Sequence, residues 1–181
     1  MIKRGYVRLY SISKDGEEFT LIIFKKSDFF PFMWVINNTP NEYYLAALGD
    51  ITFWRAPKEA VLTFIKENPD VLFELTSRLL VRFGGVLRRM EYLAFGNAHA
   101  KVASILLICA ERFGKVVKKG VVIDVPLTHS DVAALCALSR ETVSIEMKKL
   151  ERDGLISYRG RRIIVNKLSL LRRDSSLTSE D

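Results

Sequence analysis

Ser139, Arg140, Glu141 and Thr142 stand together at the head of a stretch, residues 138–156, whose apolar residues recur at helical spacing. Their types suit a polyanion with readable edges. An arginine can donate two parallel hydrogen bonds to guanine O6 and N7, and a glutamate can accept one from cytosine N4. The hydroxyls of Ser139 and Thr142, with the first amides of a helix, suit phosphate oxygens. Ser144, Lys148 and Lys149 follow on later turns. Arg140, Glu141 and Ser144 are therefore expected to meet base edges, and Ser139, Thr142, Lys148 and Lys149 the DNA backbone.

Such a turn reads bases only if neighbouring elements hold it clear of the body. Thr128 can cap a preceding helix over about 129–136, with Asp131 three residues later imitating a capping box. Val132, Ala133 and Leu135 would face inward on that helix. Val143, Met147 and Leu150 would form the buried stripe of the next one, over about 139–153. Only Ala137-Leu138-Ser139 separates the pair, which is the spacing of a helix-turn-helix, and Ala137 stands where glycine would relax the turn. "LISYRGRRIIVN" then reads as two short strands around Arg159-Gly160, a wing whose Arg159, Arg161 and Arg162 suit phosphates. Between residues 139 and 173 ten Lys and Arg face four Asp and Glu, in a chain of 181 residues with net charge +7. That concentration favours a polyanionic partner.

Upstream, Leu72, Leu79, Val86 and Leu93 repeat every seven residues, and Phe83 and Met90 complete a 3-4 spacing. Such a seam on a helix over about 69–95 wants a partner helix, so a homodimer is expected; packing on its own domain is the competing reading. Pairing two copies would set two recognition helices about one DNA turn apart, on an inverted repeat. Gly84-Gly85 sits inside this helix at a cost of about 1 kcal/mol per glycine, for a close backbone approach or a bend.

Residues 5–24 read as a β-hairpin turning at Lys14-Asp15-Gly16, and residues 25–56 as further β structure with a loop near 37–42. Pro57 opens a helix as its first residue, and Asn68 caps the long one. A helix over 99–113 and a hairpin turning at Lys118-Lys119-Gly120 complete the pattern. The expected organisation is a sensor domain over 1–68, a dimerisation helix over 69–97, a winged helix-turn-helix over 98–171 and a disordered tail over 172–181.

Several classes are excluded. No stretch approaches a membrane span, and the start lacks a secretory apolar core, so a cytoplasmic protein is expected. Cys109 and Cys136 lie in apolar helical patterns and read as core residues. His99 and His129 have no metal-ligand pattern beside them, and no phosphate loop, dinucleotide fingerprint or nucleophile elbow occurs. Neither an enzyme nor a bound metal is expected.

The run "LTHSDVAALCALSRETVSIEMKKLERDGLIS…RGRRIIV", placed after a long helix and a strand-rich start, resembles the cyclic AMP receptor protein / fumarate-nitrate regulator (Crp/Fnr) superfamily over roughly residues 2–171. The resemblance implies an α+β fold: a partial cyclic-nucleotide-binding-like β-roll, a dimerisation helix and a winged helix-turn-helix. It implies a transcriptional regulator with RNA polymerase as a further partner. It also places Thr128 and His129 where backbone-contacting residues precede the turn. Two departures bear on specificity and sensing. Ile145 stands where a further base-reading arginine is common. The stretch "DFFPFMWVINN" lacks the Gly-Glu of a cyclic-nucleotide cassette, and no arginine occurs between Arg8 and Arg55 to clamp a phosphate.

No response to cyclic AMP and no resident cofactor are expected, and the effector stays open. Phe30, Phe32, Trp34 and Tyr43 either fill the β-roll or line an apolar ligand pocket. The chain is also expected to be N-terminally short, since it begins inside the β-roll. That leaves a second reading open: a truncated, non-sensing module that heterodimerises with a full-length regulator and modulates it.

Overall fold

The computed structural model describes residues 1–38, 40 and 42–175. Thr39 and Asn41 of the expected loop, and residues 176–181 of the expected tail, lie outside the described residues. The chain divides into two compact units, Met1–Ser11 with Leu21–Leu87, and Ile12–Thr20 with Arg88–Asp181.

Alternating β-branched and aromatic residues give the strands β1 (Ile2–Arg4), β2 (Val7–Ile12), β3 (Glu18–Phe24), β4 (Tyr44–Ala47) and β5 (Thr52–Phe53), of which the β2-β3 hairpin tip, residues 12–20, belongs to the second unit and the rest to the first. β1 pairs antiparallel with β5, and a second sheet runs in the order β3-β2-β4. The hairpin turn falls where the sequence places it. Ser13 Oγ accepts from the amides of Asp15 and Glu17 at 3.2 and 3.1 Å, and Gly16 takes φ +82°. Ile2, Val7 and Phe24 form the core, with Leu9, Ile22, Phe30 and Ile51 packed against it. Asp28 holds the following segment: it accepts from the Lys25 amide at 2.9 Å and pairs with Arg82, whose guanidinium lies 5.6 Å from the Phe24 ring centre.

Three sequence expectations need correction here. Residues 32–37 are not β structure but a helix, α1 (Phe32–Asn37). Pro31 fixes the entry to its first turn, Asn38 ends it in the left-handed region at φ 54°, and Lys58 Nζ donates to Asn38 Oδ1 at 2.6 Å. α2 (Lys58–Glu67) has Pro57 at its cap, one residue before the expected place. Asn68 does not cap α3 (Pro69–Phe95) with its side chain, which donates instead to the Phe64 carbonyl at 2.7 Å. α3 runs unbroken through Gly84-Gly85 and buries only Tyr92 of its 27 residues.

The second unit is built from α4 (Ala98–Phe113), β6 (Gly114–Val117), β7 (Gly120–Ile123), α5 (His129–Cys136), α6 (Arg140–Arg152), β8 (Ile156–Arg159), β9 (Arg162–Val165) and α7 (Leu168–Asp174). The four strands form one antiparallel sheet in the order β6-β7-β9-β8. The turn needs a glycine at position 120, which takes φ +132° and where a Cβ would meet the Val165 carbonyl oxygen at 2.1 Å. Val102, Leu106, Ile123, Val132, Met147 and Leu150 are fully buried between helices and sheet. Burial of about 25 cal/mol per Å² makes this apolar core the main source of the unit's stability.

Cys109 and Cys136 lie in that core, free, and burial pushes both thiols up to about 12. The tail expectation is corrected at its start. Residues 172–174 belong to α7, anchored by the fully buried Leu171 and by Arg172, which donates to Glu111 Oε1 at 2.5 Å.

Candidate nucleic-acid interface

α5 and α6 are started by their own side chains. Thr128 accepts from the Asp131 amide while Asp131 Oδ2 accepts from the Thr128 amide at 2.8 Å, a complete capping box. α5 ends at Ala137, which adopts the left-handed region at φ 52° and ψ 49° without being glycine. Ser139 then caps α6, its Oγ accepting from the Thr142 amide at 3.1 Å and lying 2.9 Å from Thr142 Oγ1. Val143, Met147 and Leu150 bury one face of α6, which turns the opposite face outward.

The sequence-predicted residues divide by what they already hold. Arg140, Glu141 and Lys148 on α6 and Arg159 and Arg161 on the wing are exposed; among the described residues their side chains make no hydrogen bond or ion pair. Thr128, Ser139 and Thr142 serve as caps. Lys149 donates to Glu146 Oε1 at 2.7 Å, and Arg162 pairs with Asp124 at 3.2 Å.

Ser144 and His129 are joined. The Ser144 hydroxyl donates to the Arg140 carbonyl at 2.8 Å, so it accepts from His129 Nδ1, 2.9 Å away. His129 Nε2 then accepts from the Tyr158 hydroxyl at 3.3 Å. Partial burial, and then the Glu151 charge, raise the Tyr158 phenol above its ordinary range and keep it a donor. This chain ties α5, α6 and the wing strand β8 into one body. Sequence reasoning missed Tyr158, whose only signal was an aromatic residue at the end of a wing strand.

A second polar cluster fixes α6 from below. Glu146 is 6% exposed, and its Oε2 lies 2.9 Å from His99 Nδ1 on α4. His99 Nε2 lies 3.5 Å from Asp174 on α7. Burial alone would raise the Glu146 carboxyl, but the hydrogen bonds from Lys149 and His99 outweigh it and hold the group below the usual carboxylate range.

Residues 100–174 match the model of the Crp-like helix-turn-helix domain, and residues 1–68 match that of the cyclic nucleotide-binding domain. The chain belongs to the Crp/Fnr family. It is a transcriptional regulator of that type with a helix-turn-helix DNA-binding domain. The global nitrogen regulator of Nostoc sp. (strain PCC 7120 / SAG 25.82 / UTEX 2576) is 27% identical over 94% of this Crp/Fnr chain and 77% of its own length. The CRP-like cAMP-activated global transcriptional regulator of Mycobacterium tuberculosis (strain ATCC 25618 / H37Rv) is 24% identical over 96% of this chain and 77% of its own. Among solved structures, FixK2 from Bradyrhizobium japonicum superimposes with a TM-score of 0.84 at 19% identity, covering 99% of this chain and 87% of that one. At that identity the match speaks for the fold.

In the first unit of this Crp/Fnr chain a cavity of about 860 Å³ opens between the 27–35 segment, β5, α2 and α3. Phe30 and Phe32 line it, together with Phe29, Phe53, Trp54 and Phe64. Trp34 and Tyr43, the other two residues expected either to fill the β-roll or to line a pocket, are not part of its wall. Arg55 and Arg78 also reach its wall, and Arg78 is paired with Glu74 at 2.5 Å. Among the described residues no group of three or more His, Cys, Asp or Glu could hold a metal ion, and no helix is long and apolar enough to cross a membrane. On α3, Leu72, Leu79, Phe83, Val86 and Met90 are 40–62% exposed, with Leu93 half-buried.

Proposed function

We propose that the chain acts as a homodimer through α3 and binds an inverted-repeat DNA site without responding to cyclic AMP. The observation that carries this reading is the division of labour at the head of α6. Among the described residues Arg140 and Glu141 stand exposed and unpaired while the hydroxyls around them are engaged in caps and internal bonds. Arg140 and Glu141 read bases. Ser144 holds α6 to His129 and thereby aims them. Lys148, Arg159 and Arg161 supply phosphate affinity, joined by Thr128, His129, Ser139, Thr142, Lys149 and Arg162 once DNA competes for their present partners.

The apolar stripe on α3, continued by Leu80 and Leu87, supports the dimer, since exposed apolar area of this extent marks an interaction surface. Two-fold pairing there sets the two α6 helices about 34 Å apart. RNA polymerase is the further partner of a regulator bound in this way. The mainly aromatic lining supports an uncharged or weakly polar effector, since Arg78 at the cavity wall is paired with Glu74 and Arg55 is left as a single guanidinium there. Arg82 is spent on Asp28, and Arg8 stacks 4.2 Å from the Tyr10 ring. The aromatic cavity is the place for such a ligand.

Selection of binding sites from random duplex DNA by the full chain, followed by sedimentation with the winning site, tests the whole reading. An enriched inverted repeat bound by two chains is the expected result. No enriched sequence, or a monomer at tens of micromolar, overturns it.

A further inference from the structure

α6 presents one large apolar side chain to solvent. Ile145 is 55% exposed, on the face opposite Val143, Met147 and Leu150. It lies one turn beyond Glu141 and almost one turn before Lys148, so three exposed side chains follow one line along the helix. A β-branched residue on a solvent-facing helix position gains nothing from helix propensity and leaves apolar surface in water. Its neighbours Arg140 and Glu141 address hydrogen-bonding edges. The major groove offers one apolar group, the C5-methyl of thymine, which an aliphatic side chain can meet where an arginine cannot.

Resting on the reading of α6 as the recognition helix, we propose that Ile145 is a specificity-determining residue that packs on a thymine 5-methyl group in each half-site. Four residues of helix advance Ile145 about 6 Å along the axis from Glu141. The thymine therefore lies within about two base-pair steps, at about 3.4 Å each, of the pair that Glu141 meets.

Replacing each thymine of the selected site in turn by deoxyuridine removes only that methyl group. Affinity of the full chain and of Ile145→Ala for each duplex, read by fluorescence anisotropy, supplies the test. We expect one thymine per half-site whose replacement weakens wild type about fourfold, the worth of one buried methyl group, and leaves Ile145→Ala unchanged. Arg140→Ala, measured on the same duplexes, should keep the thymine effect while losing its own base preference. Equal deoxyuridine losses in wild type and Ile145→Ala, or none in either, overturn the proposal and leave the recognition-helix reading standing. Absence of any sequence preference in wild type overturns both.

Discussion

Arg89 Nη2 donates to the main-chain carbonyl of Leu135 at 2.6 Å, joining the end of α3 to the first helix of the helix-turn-helix. The same guanidinium lies 4.7 Å from the Phe19 ring centre. A charge-assisted bond of this kind is worth about 1.5–3 kcal/mol. Arg89→Leu should lower stability by that amount, and Arg89→Lys by less, because a lysine keeps the charge but not the flat stacking surface. Urea unfolding measures both, and an unchanged midpoint for Arg89→Leu refutes the linkage.

Arg140 and Arg161 should fail differently. Arg140→Ala is expected to cost about 1–3 kcal/mol on the selected site and to relax preference at one base pair. Arg161→Ala should weaken selected and random DNA alike and reduce the salt slope by about 1. Titrations over a range of salt concentrations decide between the two behaviours; equal losses on both DNAs for Arg140→Ala would remove it from the base readers.

Millimolar cyclic AMP should leave operator affinity unchanged, the outcome expected of a cavity lined mainly by aromatic side chains. A tenfold tightening, about 1.4 kcal/mol of coupling, would contradict this. In the same assay the double change Gly84→Ala, Gly85→Ala should shift the DNA-binding equilibrium although neither position is a proposed DNA contact. Nothing within the chain lies within 4 Å of a Cβ added at either glycine, so the change stiffens α3 by about 1 kcal/mol per site without a clash inside one chain.

The Glu146 cluster gives stability a defined pH dependence. Its carboxyl titrates below the ordinary value of 4.5, so its contribution is fully present above that value and is lost as pH falls through the folded-state one. Glu146→Gln should therefore be less stable than wild type at neutral pH, with the gap closing only below about pH 4.5. Thermal unfolding from pH 3 to 7 checks the sign. A gap that widens on acidification would exclude the mechanism.

Ala137 offers a stabilising change. It holds φ 52° where glycine carries no Cβ penalty, so Ala137→Gly should raise stability by about 0.5–1 kcal/mol. A lowered melting temperature would mean that the turn is held by its surroundings rather than strained.

Legibility in the sequence followed the range of the interactions. α5, α6 and the wing were readable because Thr128, Asp131 and Ser139 cap through residues three positions away, and the Arg159-Gly160 turn is equally local. α1 was misread because "FMWVIN" is aromatic and β-branched, has no side-chain cap and buries nothing; its helix follows from Pro31 and its surroundings. α7 is not legible in the sequence, and its last three residues fall in the expected tail, since Lys167 gives no cap and the burial of Leu171 is a tertiary fact. For the site, the exposed Arg140 and Glu141 could be picked out from spacing. The bond from the Ser144 hydroxyl to the Arg140 carbonyl is local, four residues back, but its second partner, His129, lies 15 residues away, which no local pattern carries.

The near-naked surface of α3 has a bearing on dosage. If the chain dimerises through α3 as proposed, a helix that buries one side chain of 27 within its own chain leaves that dimer dependent on encounter between chains. At concentrations below the dimer constant, the number of DNA-competent molecules rises with the square of the number of chains. Doubling expression would then raise promoter occupancy about fourfold. On that reading gene copy number and synthesis rate would become inputs to this regulator in their own right.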